Sequence, residues 1–112
     1  MVKIHFWQDK EKGSVCMKVK GHAGTAPKGE DLVCASATML VYTVAQAMTF
    51  YHEQGYLKEK PKIKIREGKA SIHVIPKEDY YAETLHSFWV AQCGARVLAK
   101  NYPENASLNY LT

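Results

Sequence analysis

The chain has no disulfide framework. Its 112 residues include three cysteines, Cys16, Cys34 and Cys93, an odd and widely spaced set that suits a reducing compartment where thiols persist. No CxxC pair and no cluster of Cys and His offers a structural zinc site, so no metal and no cofactor is expected. No basic segment followed by an apolar run precedes the first strand pattern, so no signal peptide is expected. The most apolar stretch, Leu32 to Tyr51, is interrupted by Ser36, Thr38, Thr43, Gln46 and Thr49. It reads as a buried helix rather than a membrane span. Linkers, internal repeats and low-complexity segments are all missing. The expectation is one cytoplasmic domain over residues 1–112, with no membrane partner.

What is present describes an ordinary globular chain. Hydrophobic residues make up 46%, charged residues 23% and aromatic residues 11%, which excludes a disordered polyelectrolyte. The net charge of +4 permits contact with RNA or a ribosome without requiring it.

Hydrophobic periodicity supplies the elements. Val2, Ile4 and Phe6 alternate with polar residues, "DKEKG" turns the chain, and Val15, Met17 and Val19 alternate again, so residues 2–20 predict a hairpin. A helix is predicted from Asp31 to Gln54, with Gly55 ending it and an apolar stripe of Ala37, Leu40, Val41, Val44, Ala45 and Met48. Ile63 and Ile65, the turn "EGK", then Ala70, Ile72 and Val74 predict a second hairpin. A second helix is expected from about Asp79 to Lys100, with Tyr81, Leu85, Phe88, Trp89, Cys93 and Val97 at helical spacing and Pro103 stopping it. The order ββαββα predicts an α+β two-layer sandwich, a mostly antiparallel sheet with two helices on one face. The opposite face would then carry Lys3, Lys18, Lys20, Lys62, Lys64 and Arg66.

The stretch "GHAGTAPKGEDLVCASA", Gly21 to Ala37, concentrates the chemistry. With Asp31 as helix cap, Cys34 falls in the first helical turn, where the positive end of the helix dipole favours a thiolate. His22 ends the second strand, at the same end of the sheet as the helix start. Eleven residues separate the two, a length that could span roughly 36 Å if extended, so spacing alone neither forces nor forbids contact. Gly24, Pro27 and Gly29 allow the intervening loop to double back. Nucleophile and base would then meet, with the amides near Cys34 and Ala35 facing a developing oxyanion. Asp31 is a candidate for orienting His22. The bland reading is a core cysteine at a helix start and a solvent-exposed histidine.

The remaining thiols and imidazoles carry less chemistry. Cys93 reads as a core residue and Cys16, alternating with lysines, as a partly exposed thiol without a base. His5 and His73 share the outer sheet face without carboxylates to complete a metal site. His52 and His86 read as helix-surface residues. A different class of function, a non-enzymatic RNA- or ribosome-binding module using the basic sheet face, is the alternative. Against it, Trp7 is the one obvious aromatic on that face, where base-stacking sheets present two or three.

The quoted stretch resembles the signature of the ribosomal-processing cysteine proteases, the Prp family. Members carry Gly-His-Ala, a loop with Gly just before an acidic residue, and Asp-hydrophobic-Val-Cys-Ala. Gly21, His22, Ala23, Gly29, Asp31, Val33, Cys34 and Ala35 match position by position, and the order of elements is similar throughout. Where members often have serine four residues after the cysteine, this chain has Thr38, which keeps the hydroxyl. The loop interior "GTAPKGE" also departs from the family's. The resemblance implies a cysteine endopeptidase with Cys34 as nucleophile and His22 as general base. Its implied substrate is the N-terminal extension of large-subunit ribosomal protein twenty-seven, cut beside aromatic residues, and its implied assembly is a homodimer.

Overall fold

The computed structural model describes residues 1–21 and 31–110, the side chain of Asp31 excepted. Strand β1 (Val2–Asp9) turns through Gly13 into β2 (Ser14–Lys20), and helix α1 covers Asp31–Glu53. Strands β3 (Lys62–Arg66) and β4 (Lys69–Val74) form the second hairpin. A single 3-10 turn, Glu78–Tyr80, leads into α2 (Tyr81–Asn101), and β5 (Ala106–Asn109) closes the described chain. The sheet order is β3-β4-β2-β1-β5. The α+β class, the two hairpins and the two helices agree with the sequence expectation.

Strand β5 was not expected. It lies parallel to β1, with Val2 opposite Ala106 and Ile4 opposite Leu108, so the sheet is mixed, mostly antiparallel as expected with this one parallel pair. Four residues, "ASLN", carry too little alternation to announce a strand. Neighbouring geometry makes it one. The Tyr102 and Asn105 carbonyls accept from Ala106 N–H and Val2 N–H at 2.9 and 2.8 Å, and this delivers the chain to the open edge of β1.

The core lies between one sheet face and the helices. Val2, Ile4 and Phe6 of β1, Val15 and Met17 of β2, and Ile72 and Val74 of β4 are buried there. From α1 come Val33, Ala37, Val41, Val44, Ala45 and Met48, essentially the predicted stripe. By length and composition α1 could cross a membrane, but here that stripe packs on the sheet. Gly55, at φ +78, ends α1 in the left-handed conformation that side chains avoid.

Helix α2 turns only part of the expected face inward, with Phe88 buried and Tyr81 and Leu85 packed half-buried on the core. Its buried residues are Thr84, Phe88, Ala91, Gln92, Ala95 and Leu98, whereas Trp89, Val90 and Val97 are exposed and so is Cys93. The expected core role of Cys93 is therefore corrected. Large apolar side chains had suggested the inner face, but Ala91 and Ala95 share it with Phe88 and Leu98, so size alone does not mark it. A Cβ on Gly94 would already crowd the Leu40 side chain of α1. The polar members are accommodated locally, as where the Thr84 hydroxyl donates to the Tyr80 carbonyl at 2.8 Å.

Candidate active site

Helix α1 begins at Asp31 itself, one residue earlier than a cap at that position would place it, a difference within the normal latitude of helix ends. Cys34 remains in the first turn, whose amides lack intrahelical acceptors and give that end its positive potential. Ala35 is exposed. A helix starting at Asp31 engages the Ala35 N–H with the Asp31 carbonyl, so the amides without an intrahelical acceptor belong to the turn that ends beside Cys34.

Cys34 is half-buried and lines an open cleft of about 510 Å³. One wall is α1, presenting Cys34, Thr38, Val41 and Tyr42 at successive turns. The other is the β3–β4 turn, Arg66 to Lys69, with Ile65 beside it. Val2 and Val19 lie between the walls. Tyr42 is 52% exposed and Ile65 38%, so both offer apolar surface to whatever enters. Ser36, Thr43 and Thr49 turn their hydroxyls back onto the carbonyls four residues earlier. Thr38 instead stands on the cleft wall one turn beyond Cys34.

Gly21 lines the same cleft and its geometry admits no other residue. Its φ is +99, and a Cβ there would collide with the Met1 carbonyl oxygen. Its N–H donates to the Gly68 carbonyl at 2.8 Å, which ties the end of β2 to the β3–β4 turn. The position that precedes His22 is thus pinned beside the cleft that holds Cys34. His22 and Gly29 lie outside the described residues, as does the side chain of Asp31. Tyr42, Ile65, Arg66 and Lys69 were not foreseen as site residues. Tyr42 had a signal, since it follows Cys34 and Thr38 on one helical face. The hairpin residues had none, because only the folded sheet brings that turn across from α1.

The other thiols are placed differently. Cys16 was expected to be partly exposed, but it is 2% exposed. It faces away from the helices, yet its cross-strand partners are Trp7 on one side and His73 on the other, and these bulky neighbours cover it. Burial is the main force raising its thiol pKa. A hydrogen bond from the Ser14 side chain partly opposes this, and the Asp9 charge adds to the rise. His5 and His52 are exposed, as is His86, and His73 is half-buried. Among the described residues no group of three or more His, Cys, Asp or Glu side chains is arranged for a metal.

Comparison with known proteins follows the same line. A family model described as cysteine protease Prp matches residues 1–107. The ribosomal processing protease Prp of S. aureus, solved with a substrate peptide, superposes with a TM-score of 0.69 at 22% identity, covering 98% of this chain and 99% of that one. The same protease with a covalently linked product peptide gives 0.68 at 23% identity over the same shares. SMU.848 from Streptococcus mutans gives 0.63 at 20% identity, covering 100% of this chain and 96% of the other. No curated protein matches the chain.

Proposed function

The chain belongs to the cysteine protease Prp family, and on that premise we propose that it removes the N-terminal extension of large-subunit ribosomal protein twenty-seven. As a cysteine protease it is an enzyme, which displaces the non-enzymatic alternative. The observation that carries the reading is the position of Cys34, in the first turn of α1 and open to a peptide-sized cleft. Support for the substrate class comes from the S. aureus protease, described as a ribosomal processing enzyme with a substrate peptide bound.

In this reading the Cys34 thiolate attacks the scissile carbonyl, and the first-turn amides of α1 bear the charge that develops on its oxygen. His22 accepts the thiol proton and returns it to the leaving amine, which departs as the new N-terminus. Water, deprotonated by His22, then hydrolyses the thioester and restores the thiol. Tyr42 and Ile65 take an aromatic side chain next to the cut. Thr38 supplies a hydroxyl one turn from the nucleophile, and Asp31 orients His22. The test is cleavage of a peptide spanning the extension junction by the wild type, Cys34→Ser and His22→Ala. Each variant should lose about a thousandfold or more in kcat/KM, and equal turnover by all three would overturn the assignment.

We also propose that the protease acts as a homodimer in the cytoplasm. Unpartnered apolar side chains on the helical layer support the dimer, with Met39 65% and Val97 61% exposed and both lining one groove between α1 and α2. Val97→Glu should shift the sedimentation coefficient to that of a monomer. A wild-type chain that already sediments as a monomer at micromolar concentration would refute this.

A further inference from the structure

The sheet face turned away from the helices is a ladder of cations whose order follows from strand register. One row runs directly across the inner strands: Lys3 of β1 stands opposite Lys20 of β2, and Lys20 opposite Lys69 of β4. Arg66 of β3 continues it opposite Lys69. Neighbouring strands lie about 4.8 Å apart, so four cationic side chains occupy a line of about 15 Å. The next row places Lys18 between His5 and Ser71, with Lys64 opposite Ser71. The third runs Trp7, Cys16, His73 and Lys62. Ser107 and Asn109 of β5 extend the first two rows without charge.

Two ordinary explanations account for only part of this. Lysines on an edge strand deter pairing with other sheets, which covers Lys62 and Lys64 of β3. It does not cover Lys3, Lys18, Lys20 and Lys69, which stand on β1, β2 and β4, strands already paired on both sides. Solubility asks for charge but prefers mixed signs, and like charges directly opposite each other destabilise a sheet. The one carboxylate on these strands is Asp9, at the far end of β1 beside Ser14. A line of cations that the fold bears at a cost is suited to an external polyanion. The line also ends at the cleft, because Arg66 and Lys69 belong to its rim.

We propose that this face binds the phosphate backbone of RNA and holds the cleft beside it. The phosphate chemistry rests on the face alone, and the choice of RNA rests on the ribosomal substrate proposed above. Trp7, half-buried in the third row with its ring 4.8 Å from that of His5, offers one stacking surface. A single such surface fits backbone tracking with little base preference.

The experiment is fluorescence anisotropy of a labelled 20-nucleotide RNA with the full chain across a salt series. Affinity should fall about a hundredfold between about 50 and 200 mM salt, as about five phosphate contacts require. The variant Lys3→Gln/Lys18→Gln/Lys64→Gln, outside the cleft, should weaken binding at least tenfold and reduce the log–log salt slope by about 2. The control Lys10→Gln/Lys12→Gln/Lys58→Gln removes the same charge around the β1–β2 turn at another site and should weaken it less than threefold. Equal loss in both variants, absence of binding at low salt, or stronger retention on vesicles of phosphatidylserine and phosphatidylcholine than on RNA would each overturn the proposal. Cleavage of a short peptide by the face variant should match the wild type, so failure of RNA binding is distinguishable from failure of the peptidase reading.

Discussion

Cys34 and Cys16 carry the same side chain in opposite surroundings. Cys34 stands where α1 begins, half-buried, in an open cleft, with the positive end of the helix dipole favouring its anion. Cys16 is on the middle strand of the sheet, covered by Trp7 and His73, and burial and Asp9 together hold its thiol in the protonated form. A cysteine becomes a nucleophile through what surrounds it. Here the helix end supplies the field and the cleft between α1 and the β3–β4 turn supplies the access. The sheet interior withholds both.

The largest expected effect separates the two directly. Cys34→Ala should abolish peptide cleavage, while Cys16→Ala should leave kcat/KM within about twofold and cost about 1 kcal/mol of stability through the small cavity it leaves. If Cys16→Ala silenced the enzyme, the comparison would collapse. Alkylation by iodoacetamide near neutral pH should modify Cys34 first, exposed Cys93 more slowly and Cys16 last, read by mass spectrometry of peptides. Modification of Cys16 before Cys93 would show that its cover of Trp7 and His73 opens readily.

A subtler prediction concerns the frame of the cleft. Gly21→Ala forces a side chain into a left-handed conformation and against the Met1 carbonyl, at a cost on the order of 1–3 kcal/mol. Because Gly21 is tied to Gly68, peptidase activity should fall by more than the lost stability explains. Activity per folded molecule equal to the wild type would show that this tie does not set the site. The smallest effect is alkaline. The folded-state pKa of Cys16 lies above its unfolded value, so folded protein keeps a proton that unfolded chain releases. The associated stability is complete below the ordinary thiol range and is lost as pH rises through and beyond it. Tyr81, raised by burial and by Asp9 with its hydroxyl donating to Gln8 at 2.6 Å, adds to the same trend. Cys16→Ala should flatten the thiol part of a pH–Tm curve above neutrality.

Strong alternation made β1 to β4 legible, because burying one face of a sheet demands a period of two. The α1 stripe was equally plain, since Ala37, Val41, Val44, Ala45 and Met48 recur at the three- and four-residue spacing of one helix face. Helix α2 misled on Trp89, Cys93 and Val97 because its buried face takes small Ala91 and Ala95 beside Phe88 and Leu98, so side-chain size is a poor guide to which face is inward. Strand β5 escaped because pairing with the β1 edge, rather than its own four residues, makes it a strand. Around Cys34, the helix start and the run from Gly21 could be read along the chain. Tyr42 needed a helical projection, and the facing hairpin residues needed the sheet.

By itself the sequence determined which residues could be buried, where two hairpins and two helices form, and that a cysteine opens the long helix. These are local consequences of periodicity, turn chemistry and helix ends. Tertiary structure alone decided which cysteine is covered and which is accessible, and that the Arg66–Lys69 turn faces α1 across a cleft. It also decided that lysines from separate strands stand in one row. Each of those facts depends on strand register, a long-range pairing that no neighbouring residues encode on their own.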